Sequence, residues 1–74
     1  MQKKKRHKLA YFRSKQGLNQ MEMAEKMGIS PQYYSYLETG KYNPSFKLLL
    51  KFQNVFGLSN CEAWELFDNE SDNQ

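Results

Sequence analysis

The sequence has one cysteine, one histidine and no long apolar run, and each shortage excludes a class of protein. Cys61 has no second thiol with which to form an intramolecular disulfide, so we expect a cytoplasmic protein. No segment approaches the ~20 apolar residues of a membrane span, and no apolar region follows the basic N-terminus as it would in a secretion signal. We therefore expect no membrane partner.

The same shortages argue against an enzyme. His7 lies in a basic segment, and Cys61 has no histidine near it in the sequence. The carboxylates of Glu22 and Glu25 are typical of a solvated helix surface rather than of an acid–base pair. The chain also lacks a glycine-rich phosphate loop and a set of Cys and His residues with metal-ligand spacing. We expect no catalytic residue, cofactor, metal or small-molecule substrate.

Positive charge is present in excess and is unevenly placed. Residues 1–67 carry eleven Lys and Arg against five Asp and Glu, a net charge of +6, whereas residues 68–74 carry −3. A basic body of this kind suits a polyanion. Seventy-four residues suffice for one domain. We expect a flexible basic arm at residues 1–5, a folded domain at 6–67 and a disordered acidic tail at 68–74.

The apolar residues recur at helical spacing, without a strand pattern or an internal repeat. They predict helices over residues 6–15, 20–27 and 31–39, a fourth helix that ends near residue 56, and a fifth that opens with the capping box at 59–62. Either Ser45 or Asn43 caps the fourth helix. Met23, Ala24, Met27, Tyr34 and Leu37 are expected to face the core, as are Trp64 and the other methionines. The predicted fold class is all-α, a compact five-helix bundle.

The rest of the chain is organised around residues 19–40. Asn19 is placed to cap the second helix, and Ser30 caps the third, with Pro31 at its first position, where the missing N–H costs nothing. Gly28 lies where the chain must reverse. Two short helices joined by such a turn match the helix-turn-helix, whose second helix enters the major groove of DNA. The pattern predicts sequence-specific binding to double-stranded DNA.

Four segments follow one another along the chain: GLNQ at 17–20, MAEKMGIS at 23–30, LETGKYNPS at 37–45 and LLLKFQNVFGLS at 48–59. In this order and spacing they resemble the lambda-repressor-like helix-turn-helix proteins, the Cro/repressor or XRE class. This resemblance implies a five-helix bundle that binds operator DNA, usually as a two-fold dimer. Repression is favoured over activation, because a domain this small has little surface for recruiting a polymerase.

The resemblance also implies roles for individual positions. Residues expected to approach base edges are Pro31, Gln32, Ser35 and Tyr36. Residues expected to contact the DNA backbone are Asn19, Gln20, Tyr33, Lys41, Tyr42 and Asn43. Gln20 is further expected to brace the third helix. Arg13 and Glu38 match a partly buried ion pair that links the first helix to the third.

The third helix departs from the family pattern in three ways. Pro31 replaces a residue that normally reads a base, and Tyr34 replaces a core Val or Ile, so its hydroxyl must find a partner. The helix also carries no Lys or Arg, so it cannot make the common contact between Arg and guanine. Gln32 is suited to adenine, and we predict a half-site rich in A·T pairs.

Two alternatives stay open at the other end of the chain. The candidates for a homodimer interface on the fourth and fifth helices are Phe56, Leu58, Leu66 and Phe67, which could instead only close the core. The rival function is a protein-interaction module, an antitoxin or a partner that sequesters another regulator, using the same two helices. Salt-sensitive binding to duplex DNA would separate it from the DNA-binding hypothesis.

Overall fold

Five helices and no strand make up residues 5–68, which are the residues that the computed structural model describes. The helices are α1 (His7–Lys15), α2 (Gln20–Met27), α3 (Pro31–Thr39), α4 (Phe46–Phe56) and α5 (Asn60–Phe67). The predicted all-α bundle is confirmed. The predicted arm and acidic tail lie outside the described residues, apart from Lys5 and Asp68. Within residues 5–68, every helix is too short or too polar to cross a membrane.

Side-chain caps set the starts of the helices that follow α1. Asn19 Oδ1 accepts the backbone N–H of Glu22 at 2.7 Å, and the Glu22 carboxylate accepts the N–H of Asn19 at 2.9 Å. This reciprocal pair is a capping box, of which only the Asn19 cap was predicted. At α4, Ser45 Oγ accepts the N–H of Leu48, so Ser45 rather than Asn43 is the cap.

The turn between α2 and α3 depends on Gly28. Gly28 has φ 72° and ψ 31°, a left-handed conformation that side chains with a Cβ disfavour. A Cβ at this position would lie 3.1 Å from Lys51 Nζ, the end of a flexible side chain. Backbone conformation, more than space, therefore requires glycine. Ser30 then caps α3, with Pro31 at its first position, which completes the predicted helix-turn-helix.

The core lies where the five helices meet, and its centre is aromatic. Phe52 of α4 is fully buried and packs edge-on against Phe67 of α5, with 4.7 Å between ring centroids. Phe12 of α1 makes a similar contact with Phe56 at 5.0 Å. The buried cluster consists of Leu9, Met23, Ala24, Met27, Tyr34, Leu37, Leu48, Leu49, Phe52 and Phe67. The burial predicted for two helices is confirmed at Met23, Ala24 and Met27 of α2 and at Tyr34 and Leu37 of α3.

Two expectations for α5 are wrong, for one geometric reason. Phe67, a candidate for the dimer interface, is only 5% exposed because its ring enters the core beside Phe52. Trp64, assigned to the core, is 60% exposed. Ala63 and Phe67 are one turn apart on the buried side of α5, whereas Trp64 is rotated away from Ala63 by about 100°. Met21, also expected in the core, is exposed.

The central position of Phe52 generates a stability prediction. Phe52→Ala should lower the free energy of unfolding by about 3–5 kcal/mol, because it removes a buried ring and leaves a cavity. A domain of this size has little stability to spare. Phe46→Ala is the matched control, since Phe46 is 70% exposed on the same helix and should change stability by less than about 0.5 kcal/mol. Equal losses in urea denaturation would contradict this packing.

Candidate nucleic-acid interface

A buried carboxylate on α3 holds three helices together. Glu38 Oε2 accepts hydrogen bonds from Arg13 Nε of α1 at 2.5 Å and from the Tyr34 hydroxyl at 2.7 Å. Its Oε1 accepts from Gln20 Nε2 of α2 at 2.9 Å and more weakly from Arg13 Nη2. The expected ion-pair residues therefore lie in contact, and the Tyr34 hydroxyl has its partner. We call these four residues the Glu38 network.

The network favours the charged form of its carboxylate. Burial opposes ionisation of Glu38, but the hydrogen bonds from Arg13, Tyr34 and Gln20 outweigh it, and the pKa of Glu38 lies below its ordinary value. The hydrogen bond to Glu38 raises the pKa of Arg13. Burial, together with the bond to the carboxylate, raises the pKa of Tyr34. Arg13 and Glu38 are thus a charged pair at neutral pH.

The N-terminus of α2 approaches α3 through this network. Gln20, expected to brace the third helix and to contact a phosphate, directs its amide nitrogen to Glu38. The side-chain oxygen and the backbone N–H of Asn19 are both engaged in the capping box, which leaves its amide nitrogen as a donor.

Along α3, the four expected base-reading residues reach the surface to different degrees. Pro31 and Gln32 are exposed, whereas Ser35 and Tyr36 are half-buried. The Gln32 amide nitrogen donates to the Tyr36 hydroxyl at 2.8 Å. This bond holds the amide of Gln32 while leaving its carbonyl oxygen and one N–H, which is the pair that recognises adenine.

The loop after α3 adds aromatic rings and a positive charge to this surface. The Tyr42 ring packs edge-on against Tyr36 at 5.2 Å and lies 6.1 Å from the Tyr33 ring. Lys41 Nζ lies 4.4 Å from the centre of the Tyr36 ring, and its backbone N–H donates to the Tyr36 carbonyl. We call Tyr33, Tyr36, Lys41 and Tyr42 the tyrosine–lysine cluster. The cluster therefore places a positive charge, that of Lys41, next to a helix that has no basic residue of its own.

Arg6 is the residue that sequence reasoning missed. It was placed in the first helix, but α1 begins at His7 and Arg6 precedes it as the N-cap residue. Its side chain is 1% exposed and binds the loop after α3, where Asn43 Oδ1 accepts from Nη2 at 2.6 Å. Burial lowers the pKa of Arg6. No local pattern in the sequence predicts this role of Arg6, because its acceptors are far along the chain. One of them, the carbonyl of Phe67, is 61 positions away.

Comparisons with known proteins agree with this geometry. The sequence profile of the helix-turn-helix family matches residues 9–59. The chain belongs to the Cro/lambda-repressor-like helix-turn-helix family. An HTH-type transcriptional regulator of Archaeoglobus fulgidus is 40% identical over 65 residues, which cover 88% of this chain and 91% of that protein. A regulator of the same description from Methanocaldococcus jannaschii is 42% identical, with 88% and 98% covered.

A solved structure supports the same assignment. The clp gene regulator ClgR from C. glutamicum superposes with a TM-score of 0.67 and is 32% identical, over 82% of this chain and 80% of that one. The family is a class of DNA-binding regulators of transcription and not of enzymes. Residues 5–68 contain no group of three or more His, Cys, Asp or Glu side chains that could hold a metal ion.

The Glu38 network predicts that the protein loses stability at acidic pH. A glutamate in the unfolded chain has a pKa of about 4.3, so below that value the unfolded state binds more protons than the fold does. Stability is therefore present above that pKa and is lost as the pH falls through the lower pKa of folded Glu38. Glu38→Gln should cost about 2–4 kcal/mol at neutral pH, because Arg13 loses its partner.

The difference in unfolding free energy between the wild type and Glu38→Gln should shrink as the pH falls from about 6 to about 3.5. Urea denaturation across this range measures it. Glu25→Gln is the control, because Glu25 is an exposed carboxylate on α2. A difference that stays constant over the range would contradict an ionised Glu38 as the source of the stabilisation.

Proposed function

We propose that this regulator is a cytoplasmic repressor that binds an operator by placing α3 in the major groove. The observation that carries the proposal is one joined surface, made by the exposed Gln32 of α3 and by the tyrosine–lysine cluster, which extends from α3 into the loop that follows it. Such a surface offers an amide to base edges and a fixed positive charge to phosphates.

Affinity and specificity would come from different residues of this surface. When Lys41 contacts a phosphate, counterions condensed on the DNA are released. The binding is therefore sensitive to salt and depends little on the DNA sequence. The further residues proposed to contact the DNA backbone are Asn19, Gln20, Tyr33, Tyr42 and Asn43. Gln32 pairs with adenine, for ~1–3 kcal/mol of discrimination, while Pro31, Ser35 and Tyr36 approach neighbouring bases. Because α3 has no arginine for guanine, an A·T-rich half-site is favoured.

A second copy would supply the rest of the specificity. One domain of this size reads a short half-site, and a two-fold homodimer reads two half-sites about 34 Å apart. Phe56, Leu58 and Leu66 are half-buried and remain candidates for that contact. The exposed ring of Trp64 joins them, in place of the buried Phe67.

Selection of duplexes from a random pool tests DNA reading directly. We expect an enriched motif with dyad symmetry. On the enriched duplex, Gln32→Ala should weaken binding by about 1–3 kcal/mol and relax the preference at the paired base, with stability retained because Gln32 is exposed. Gln53→Ala, which removes an amide from α4, should bind as the wild type does. Absence of any enriched sequence would refute the proposal.

Lys41→Ala is expected to change the salt dependence. Loss of one phosphate contact should reduce the slope of log affinity against log salt by about 1 and should weaken binding to all sequences similarly. Lys15→Ala removes the same charge from the groove between α1 and α5, where Lys15 lies near the Tyr11 ring. Its salt slope should match the wild type. Equal slopes for both variants would refute a phosphate contact at Lys41.

One observation favours protein interaction as a second candidate function. Large apolar side chains are exposed on α4 and α5, namely Phe46, Leu50, Val55 and Trp64. A partner protein bound there would leave α3 free. Sedimentation equilibrium separates the candidates: Trp64→Ala should abolish self-association if α5 forms the homodimer. If the wild type is monomeric with and without duplex, the exposed side chains would instead favour a different protein partner.

A further inference from the structure

Arg6 is a charged side chain inside the fold whose hydrogen bonds all go to neutral groups. It is 1% exposed and donates to three backbone carbonyls and one side-chain amide. Burying a guanidinium is costly, and here the cost is offset by using four of its five N–H groups. Arg6 therefore connects three separate parts of the chain, namely the end of α3, the loop that follows it and the end of α5.

Two of these acceptors lie at the ends of helices. Arg6 Nη1 donates to the Leu37 carbonyl at 2.6 Å, and Nε donates to the Phe67 carbonyl at 2.9 Å. Both carbonyls belong to the last turn of their helices, α3 and α5, where carbonyl groups lack partners within the helix and the helix dipole is negative. The guanidinium therefore joins the C-terminal ends of α3 and α5.

The other two acceptors lie in the loop that follows α3. Nη1 also donates to the Tyr42 carbonyl at 2.9 Å, and Nη2 donates to Asn43 Oδ1 at 2.6 Å. The backbone N–H of Arg6 donates to the Glu38 carbonyl at 2.7 Å. Arg6 thus bonds both the loop and the end of α3. The Tyr42 ring makes a further contact between them, since it packs against Tyr36.

We propose that Arg6 is a positioning residue for DNA binding. It fixes residues 41–43 against α3 and sets the orientation of the Asn43 amide. A guanidinium only donates hydrogen bonds, so it must face Oδ1, and the Nδ2 group of the exposed Asn43 then points away from Arg6 as a donor for phosphate. Arg6 increases affinity without touching DNA, because a loop already ordered loses less entropy on binding.

This inference depends on the proposed function, in which the loop contacts the DNA backbone. A double-mutant cycle tests it on the full chain with the selected duplex, at a temperature where every variant is folded. Arg6→Met and Asn43→Ala should each weaken binding about tenfold. Because Asn43 is no longer held once Arg6 is absent, the double variant should bind no more weakly than Arg6→Met.

Two further variants distinguish positioning from stability and from charge. Phe67→Leu removes part of the ring beside Arg6 but keeps every acceptor, so it should lower stability and leave DNA affinity within about twofold. Arg6→Lys keeps the charge, but a single nitrogen cannot span the four acceptors, so its affinity should resemble that of Arg6→Met. It also serves as the second variant should Arg6→Met fail to fold.

A readout in the free protein separates failure of this inference from failure of the proposed function. The N–H groups of Lys41 and Tyr42 both donate to the Tyr36 carbonyl. Their hydrogen exchange should accelerate in the Arg6 variants and stay unchanged in Phe67→Leu. Multiplicative losses in the cycle, wild-type affinity of Arg6→Lys, or unchanged exchange would each overturn the role of Arg6. A wild type that binds no duplex would overturn the proposed function, and with it any part of Arg6 in DNA binding.

Discussion

The orientation of α3 depends on a single buried carboxylate. Glu38 accepts hydrogen bonds from α1, α2 and its own helix, and each donor compensates part of the cost of taking a charge out of water. Apolar contacts alone would hold the helices together with some freedom to slide and rotate. A carboxylate that needs all its donors permits one arrangement, and that arrangement fixes which side chains of α3 reach the surface.

The positive charge of this surface lies in the loop that follows α3, whereas its amide lies on α3 itself. The helix carries the amide and the tyrosines and has no basic residue, while Lys41 lies over the Tyr36 ring from the loop side. In the proposed complex with DNA, affinity for the DNA backbone and recognition of bases would then depend on different segments. The position of the loop relative to α3 therefore matters. Two buried charged residues hold these segments: Glu38 bonds α3 to α1 and α2, and Arg6 bonds the loop.

Local features of the sequence predicted most of the fold. The caps at Asn19 and Ser30 and the left-handed glycine at Gly28 act over a few residues, so they can be recognised in the sequence, and the bounds of α2 and α3 were predicted correctly. The tertiary placement of side chains was harder. In α5, Trp64 and Phe67 are both apolar and three positions apart, and only the neighbouring helices decide which one is buried. Arg6 was missed because its acceptors are 31 to 61 positions away.

We propose that α3 and the loop at residues 41–43 together form the surface that meets DNA. Mapping of backbone amide chemical shifts during titration with the selected duplex tests it most directly. We expect the largest changes at residues 32–36 and 41–43, and at the N-terminus of α2, with the exposed face of α5 around Trp64 unchanged on the duplex of a single half-site. Changes concentrated on α4 and α5, with α3 unaffected, would contradict it.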